Sequence, residues 1–174
     1  MEGAANPMTG IRLDKVVLNI GIGSNDNNLV PAKLLLKKLT GMEAAPTLSK
    51  RRDPSLKVRK GQIIGAKVSL RGEKAKEILT KLLDANDSLV KGSSITVNTF
   101  NFGIKEYIDI SGVKYDSKIG MMGLHVNASF ARPGKRVQER KKGRSKVGVR
   151  HNSVSKEEIL DYLKDNFKAK VAEE

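Results

Sequence analysis

Cysteine and tryptophan are both missing from this 174-residue chain. Without cysteine there can be no disulfide and no thiolate zinc site, and a cytosolic setting is favoured. The two histidines, His125 and His151, stand far apart in sequence and offer no metal-binding spacing. Aromatic residues make up 4% of the chain, four Phe and three Tyr. A surface that reads RNA mainly by stacking bases needs more of them. No apolar run approaches the roughly 20 residues of a membrane span. Residues Met1 to Gly10 lack the apolar core and basic start of a signal peptide and read as a loose N-terminus. Acidic residues are also scarce: 19 Asp and Glu stand against 33 Lys and Arg, a formal net charge of +14. Such an excess concerns partners rather than fold, and it points to a polyanion, nucleic acid ahead of an anionic membrane. A polybasic membrane protein usually adds an exposed apolar face or a lipid anchor, and neither is evident.

The positive charge is concentrated. Pro46 to Gln62 carries Lys50, Arg51, Arg52, Lys57, Arg59 and Lys60 against one acid, Asp53. Arg132 to Asn152 carries Arg132, Lys135, Arg136, Arg140, Lys141, Lys142, Arg144, Lys146 and Arg150 against Glu139. Outside these segments the two signs nearly cancel, whereas a merely soluble surface would intersperse them throughout. The expected molecule is a near-neutral body with two positive loops, 46–62 and 132–152. All nine cations of the longer arm are candidate RNA contacts, Arg for bidentate phosphate binding and Lys as a point charge. Pro133, Gly134, Gly143 and Gly148 interrupt that arm, so it reads as a loop that orders on its partner rather than as a continuous helix.

At this length the body is one domain, residues 1–174. Lys15 to Ile22 is β-branched and apolar and reads as a buried strand, ended by Gly23-Ser24-Asn25-Asp26. A helix from Asn28 or Leu29 to Leu39 tolerates Pro31 in its first turn and stops at Gly41. Ala44 to Lys50 and Gln62 to Leu70 read as strands on either side of the first basic loop. Glu73 to Leu83 reads as a second helix. Ser94 to Phe102, Ile104 to Ile110 and Leu124 to Ala131 read as further strands. Lys156 to Phe167 is a helix with a clear start: Ser155 and Glu158 form a capping box, with Val154 and Ile159 as its hydrophobic staple. This order gives an α+β fold, a mostly antiparallel or mixed sheet with helices packed mainly on one face.

Motifs for small-molecule chemistry fail on inspection. Gly21-Ile-Gly23 follows a strand, but Asp26 stands where a third dinucleotide-binding glycine belongs, and Gly61 to Lys67 has the wrong spacing for a phosphate loop. Neither histidine lies in a motif that marks a catalytic base, and helix capping accounts for Glu157-Glu158. Phe100 and Phe102 share one strand face, but the glycine and basic residues of an RNA-recognition sheet do not accompany them, so core packing is the expected role. Phosphate, sugar and shape contacts to folded RNA should therefore dominate over stacking. No enzymatic activity, cofactor, metal or small-molecule substrate is expected.

Several segments together resemble the family of large-subunit ribosomal protein five. Lys15-Val-Val-Leu-Asn19-Ile-Gly21-Ile-Gly23 resembles its N-terminal strand. Ala45-Pro46-Thr47 through Lys57-Val-Arg59-Lys60-Gly61-Gln62-Ile-Ile-Gly65-Ala-Lys67-Val-Ser-Leu-Arg71-Gly72 is similar to its second block. Asn101-Phe-Gly103-Ile-Lys-Glu106 and Gly120-Met-Met-Gly123 resemble its third. The Arg132 to Asn152 arm resembles the archaeal and eukaryotic branch, and the undecorated body points to the archaeal one. The resemblance implies a structural constituent of the large subunit, cytoplasmic in the ribosome, seated in the central protuberance on 5S rRNA. Asn19, Thr47, Ser49, Lys50, Lys60, Gln62 and Lys67 would then face 5S rRNA. Arg51, Arg52, Lys57 and Arg59 would lie nearest P-site tRNA. Other large-subunit rRNA and neighbouring ribosomal proteins, including a small-subunit protein across the interface, are further implied partners. A regulatory protein that binds structured RNA outside the ribosome is the alternative reading.

Overall fold

A computed structural model describes residues 6–23 and 26–172. The breaker expected at Ser24-Asn25 and the first five residues of the expected loose N-terminus lie outside them. In chain order the elements are β1 (Arg12–Gly21), α1 (Leu29–Thr40), β2 (Ala45–Leu48), β3 (Ile63–Leu70), α2 (Glu73–Asp84), β4 (Leu89–Lys91), β5 (Ile95–Thr96) and β6 (Thr99–Ile104). There follow β7 (Leu124–Ala131), the single turns α3 (Arg136–Glu139) and α4 (Val149–Asn152), then α5 (Lys156–Phe167) and β8 (Lys170–Ala172).

Six strands form one sheet in the order β2-β3-β1-β7-β6-β5, and every pairing is antiparallel. The only parallel pair among the described residues, β4 with β8, stands apart from that sheet. Period-two alternation divides each strand between two faces. Val16, Leu18 and Ile20 of β1 point to the same side as Ala66, Val68 and Leu70 of β3 and Val126, Ala128 and Phe130 of β7. On that side they meet Ala32, Leu35 and Leu36 of α1, Ala75, Leu79, Leu82 and Leu83 of α2, and Ile159 and Leu163 of α5 in one continuous core. Phe100 is buried in it, and the half-buried Phe102 stacks on Phe100 with ring centroids 5.0 Å apart. The helices therefore cover one face, as expected, and among the described residues no helix lies on the other face of the sheet.

The helix signals act where they were read. Gly41 takes φ 69° and donates its N–H to Lys37 O at 2.8 Å, closing α1. Ser155 and Glu158 make both bonds of the capping box, while Val154 and Ile159 are fully buried beneath it. Two expected strands need correction. Ser94 to Phe102 is a hairpin, β5–β6, that reverses at Val97-Asn98. Asn98 adopts φ 65° there, and its amide accepts from Val154 N–H and donates to Asn152 O, tying the turn to the start of α5. Ile104 to Ile110 leaves the sheet at Ile104, because β7 begins opposite it at Leu124. A single 3-10 turn, Tyr107–Asp109, follows. Tyr107 is buried, donates its N–H to Met122 O at 3.2 Å, and accepts Asp116 N–H on its hydroxyl at 3.0 Å.

Candidate nucleic-acid interface

Antiparallel register lays out the uncovered face in rows. Lys67, Asn19, His125 and Gly103 fall side by side on β3, β1, β7 and β6. The next row is Ser69, Val17, Asn127 and Asn101, and Lys15, Ser129 and Thr99 follow. At the other end Thr47, Gly65 and Gly21 align. No Asp or Glu occupies these outward positions. The face offers short amides, hydroxyls, one imidazole and two lysines. Asn127 Nδ2 donates to Asn101 Oδ1 at 2.8 Å, so two of the amides brace each other across strands. The glycines keep parts of the surface low. At Gly65 a Cβ would lie 2.5 Å from Ile20 O, so β1 and β3 can approach there only around glycine.

The basic loop 46–62 continues β2 and β3 beyond the Gly21 end of this face. It has its own hydrogen-bonded structure. Ser49 N–H donates to Gln62 O (2.8 Å) and Gly61 N–H to Ser49 O (2.9 Å), and a second rung pairs Asp53 with Val58 in both directions at 3.0 Å. Asp53 Oδ1 accepts the Ser55 hydroxyl at 2.6 Å and the Ser55 N–H at 3.0 Å. The Ser55 hydroxyl bond is the main reason its carboxyl sits below its ordinary range. The lone acid of the loop is therefore used to shape the tip. Arg52, Lys57, Arg59 and Lys60 line an open cleft around it, and Leu56 stands 65% exposed at the tip.

The seven residues expected on 5S rRNA separate into groups. Asn19 and Lys67 lie on the open face. Lys50 and Lys60 are exposed on the loop stem, and Arg51, Arg52, Lys57 and Arg59 are exposed nearer its tip. Ser49 and Gln62 hold the stem together: Ser49 Oγ donates to Arg51 O at 2.5 Å, and Gln62 Oε1 accepts Arg59 N–H at 3.0 Å. The Thr47 hydroxyl is shielded from solvent and finds no hydrogen-bond partner among the described residues.

The long arm leaves β7 at its Ala131 end, opposite the loop. Strand rise along the ten residues of β1 separates the two by roughly 30 Å. The arm is folded onto the body. Arg132 is bound to Glu158 at 2.6 Å, and Lys135 to Asp14 at 3.2 Å and Glu139 at 3.5 Å. Asp14 is the extra residue of a β-bulge between Leu13 and Lys15, and it also pairs with Arg71 at 3.8 Å. Inside the arm Ser145 N–H donates to Val137 O, Gln138 Nε2 to Val147 O and Arg140 Nε to Gly143 O, and His151 Nε2 meets Pro133 O at 2.9 Å. In this conformation the arm is hydrogen-bonded within itself and against the body, and Arg132 and Lys135 are half-buried in their ion pairs. Arg136, Arg140, Lys141, Lys142, Arg144, Lys146 and Arg150 are exposed.

Sequence reading missed the central part of this surface. His125, Asn127 and Ser129 alternate with Val126, Ala128 and Phe130, and Thr99, Asn101 and Gly103 alternate in the same way on β6. An acid-free polar stripe on two adjacent strands was the available signal.

A model of the C-terminus of the ribosomal protein L5 family matches residues 63–162. The large ribosomal subunit protein uL5 of Sulfurisphaera tokodaii is 43% identical over 97% of this chain and 96% of its own length. That of Nanoarchaeum equitans is 47% identical over 93% of this chain and 96% of its own length. That of Archaeoglobus fulgidus is 39% identical over 92% and 90%. The chain belongs to the uL5 family of large ribosomal subunit proteins, in its archaeal-type branch.

Proposed function

We propose that this chain attaches 5S rRNA within the central protuberance, with the open sheet face and the stem of loop 46–62 as one continuous interface. Family membership makes it a structural, non-enzymatic constituent of the ribosome. The observation that carries the finer reading is the acid-free face itself, flanked by exposed cations on the loop at one end and on the arm at the other. A phosphate backbone can lie along such a surface without meeting a like charge, and short amides and hydroxyls suit ribose and base-edge contacts. The loop tip, with Arg51, Arg52, Lys57 and Arg59, extends toward P-site tRNA in this reading. The seven exposed cations of the arm hold other large-subunit rRNA, and neighbouring ribosomal proteins, including one of the small subunit, complete the setting.

The test is equilibrium binding of the purified chain to 5S rRNA and to an unrelated RNA duplex across a salt series. Binding to 5S rRNA should be the tighter and should weaken steeply with salt, because neutralised phosphates release counterions. Equal affinity for both RNAs would contradict the reading. For the tRNA part, Ala at Arg51, Arg52, Lys57 and Arg59 together should speed P-site tRNA dissociation from reconstituted ribosomes more than it lowers 5S rRNA affinity. The reverse ranking would make the loop one undivided 5S patch.

A further inference from the structure

His125 has a neighbourhood that phosphate binding alone does not require. It stands between Asn19 and Gly103 in one row of the open face, two strands from Lys67. Gly103 has no side chain, and a Cβ built there would lie 3.5 Å from His125 Nδ1, so the imidazole lies beside bare backbone. The braced Asn101–Asn127 pair borders the same spot from the next row. These residues line a shallow recess on the face. The aromatic rings are elsewhere: Phe100, Phe130 and Tyr107 are buried, Phe102, Tyr162 and Phe167 pack against the core, and the exposed Tyr115 lies in the segment between β6 and β7. Among the described residues His125 is thus the one exposed ring on the sheet's open face.

We propose that this recess receives a single unpaired nucleobase of the bound RNA, stacked on the His125 imidazole. The amides of Asn19, Asn101 and Asn127 are within reach of the base edge, and Lys67 takes a flanking phosphate. An imidazole is one of the side chains on which splayed-out RNA bases stack. A glycine beside it leaves the clearance that a base needs, and fixed amides supply both donors and acceptors to its edge. The proposal rests on the reading that this face binds RNA, and it adds a preference for RNA with an unpaired base over a continuous duplex.

The chain has two histidines, so their ring protons in the full-length protein can be followed by NMR as 5S rRNA is added. Stacking should move the His125 protons upfield by ring current. His151, held against Pro133 O inside the arm, serves as the reference. In parallel, His125→Ala should weaken 5S rRNA binding by about fivefold to a hundredfold, the range for one lost stack. His125→Phe should restore most of that loss, and binding to a fully paired RNA duplex should change with neither. Gly103→Val, which fills the recess, should weaken 5S binding as His125→Ala does. If both histidine variants bind like the parent chain and the His125 protons do not move while Lys67→Ala weakens binding, the face holds RNA but the recess holds no base, and the proposal is wrong. If Lys67→Ala is also without effect, the interface reading fails with it.

Discussion

Two carboxylates, Asp14 and Glu158, fix the long arm to the body. Glu158 accepts first from the Ser155 backbone N–H and then from Arg132, and these bonds hold its carboxyl below the usual carboxylate range. A lowered folded-state pKa means that the unfolded chain takes up the proton first. The stability is therefore fully present above the unfolded value, near 4.3, and is lost as pH falls through the lower folded value. Glu158→Gln keeps a capping side chain at that position and removes the charge opposite Arg132. It should cost about 1 kcal/mol at pH 7, a figure reduced for solvent screening because Glu158 is 40% exposed. The deficit should shrink below about pH 4, as the parent carboxyl is neutralised as well. Denaturant melts of both proteins at the two pH values check this, and a pH-independent gap would contradict it. Residue roles of this kind were only half legible in the sequence. Ser155-x-x-Glu158 announces its capping box locally, but nothing local shows that Arg132 reaches the same carboxylate. His125 looked like an isolated histidine because its neighbours, Asn19 and Gly103, come from two other strands and are known only once the register is known.

At the scale of elements, local signals located all three long helices and the strands around loop 46–62. The errors fell where a long-range partner overrode a local pattern. Asn98 turns an expected strand into a hairpin because α5 begins against it, and Tyr107 folds inward because β7 starts opposite Ile104 and leaves the following residues unpaired. The arm is the mixed case. Its glycines and proline do prevent a continuous helix, but its anchors lie on β1 and α5 and could not be read from the arm alone. No residue from Arg132 to Asn152 is buried in the core. Replacing Pro133 to Arg150 with a short Gly-Ser link should therefore preserve the circular-dichroism spectrum and a single cooperative melt. It should lower the midpoint by roughly 2–6 °C through loss of the Lys135–Asp14 pair and the arm's hydrogen bonds. The same deletion should reduce the salt dependence of binding to large-subunit rRNA, since each lost phosphate contact lowers the slope by about one. Loss of cooperative melting would show that the arm is part of the core structure.

On the scale of the whole molecule, the chain sets a helical layer against one face of a sheet and leaves the other face acid-free between two cationic ends. Composition reported the charge excess and sequence position reported its two segments. Neither could report that the segments lie at opposite ends of the strands with a broad neutral-to-basic floor between them, because that depends on strand order β2-β3-β1-β7-β6. The central claim is that 5S rRNA lies on this floor and not on the helical layer. Two charge reversals of equal size separate these possibilities: Lys67→Glu on the exposed side of β3 and Lys74→Glu on the exposed side of α2. Each alters the net charge by the same amount, so a general electrostatic effect acts on both alike. The decisive measurement is the 5S rRNA dissociation constant of the two variants at one fixed salt concentration. The account predicts a loss of about tenfold or more for Lys67→Glu, the scale of a broken charge-assisted contact, and a far smaller change for Lys74→Glu. Equal losses, or a larger loss at Lys74, would contradict it.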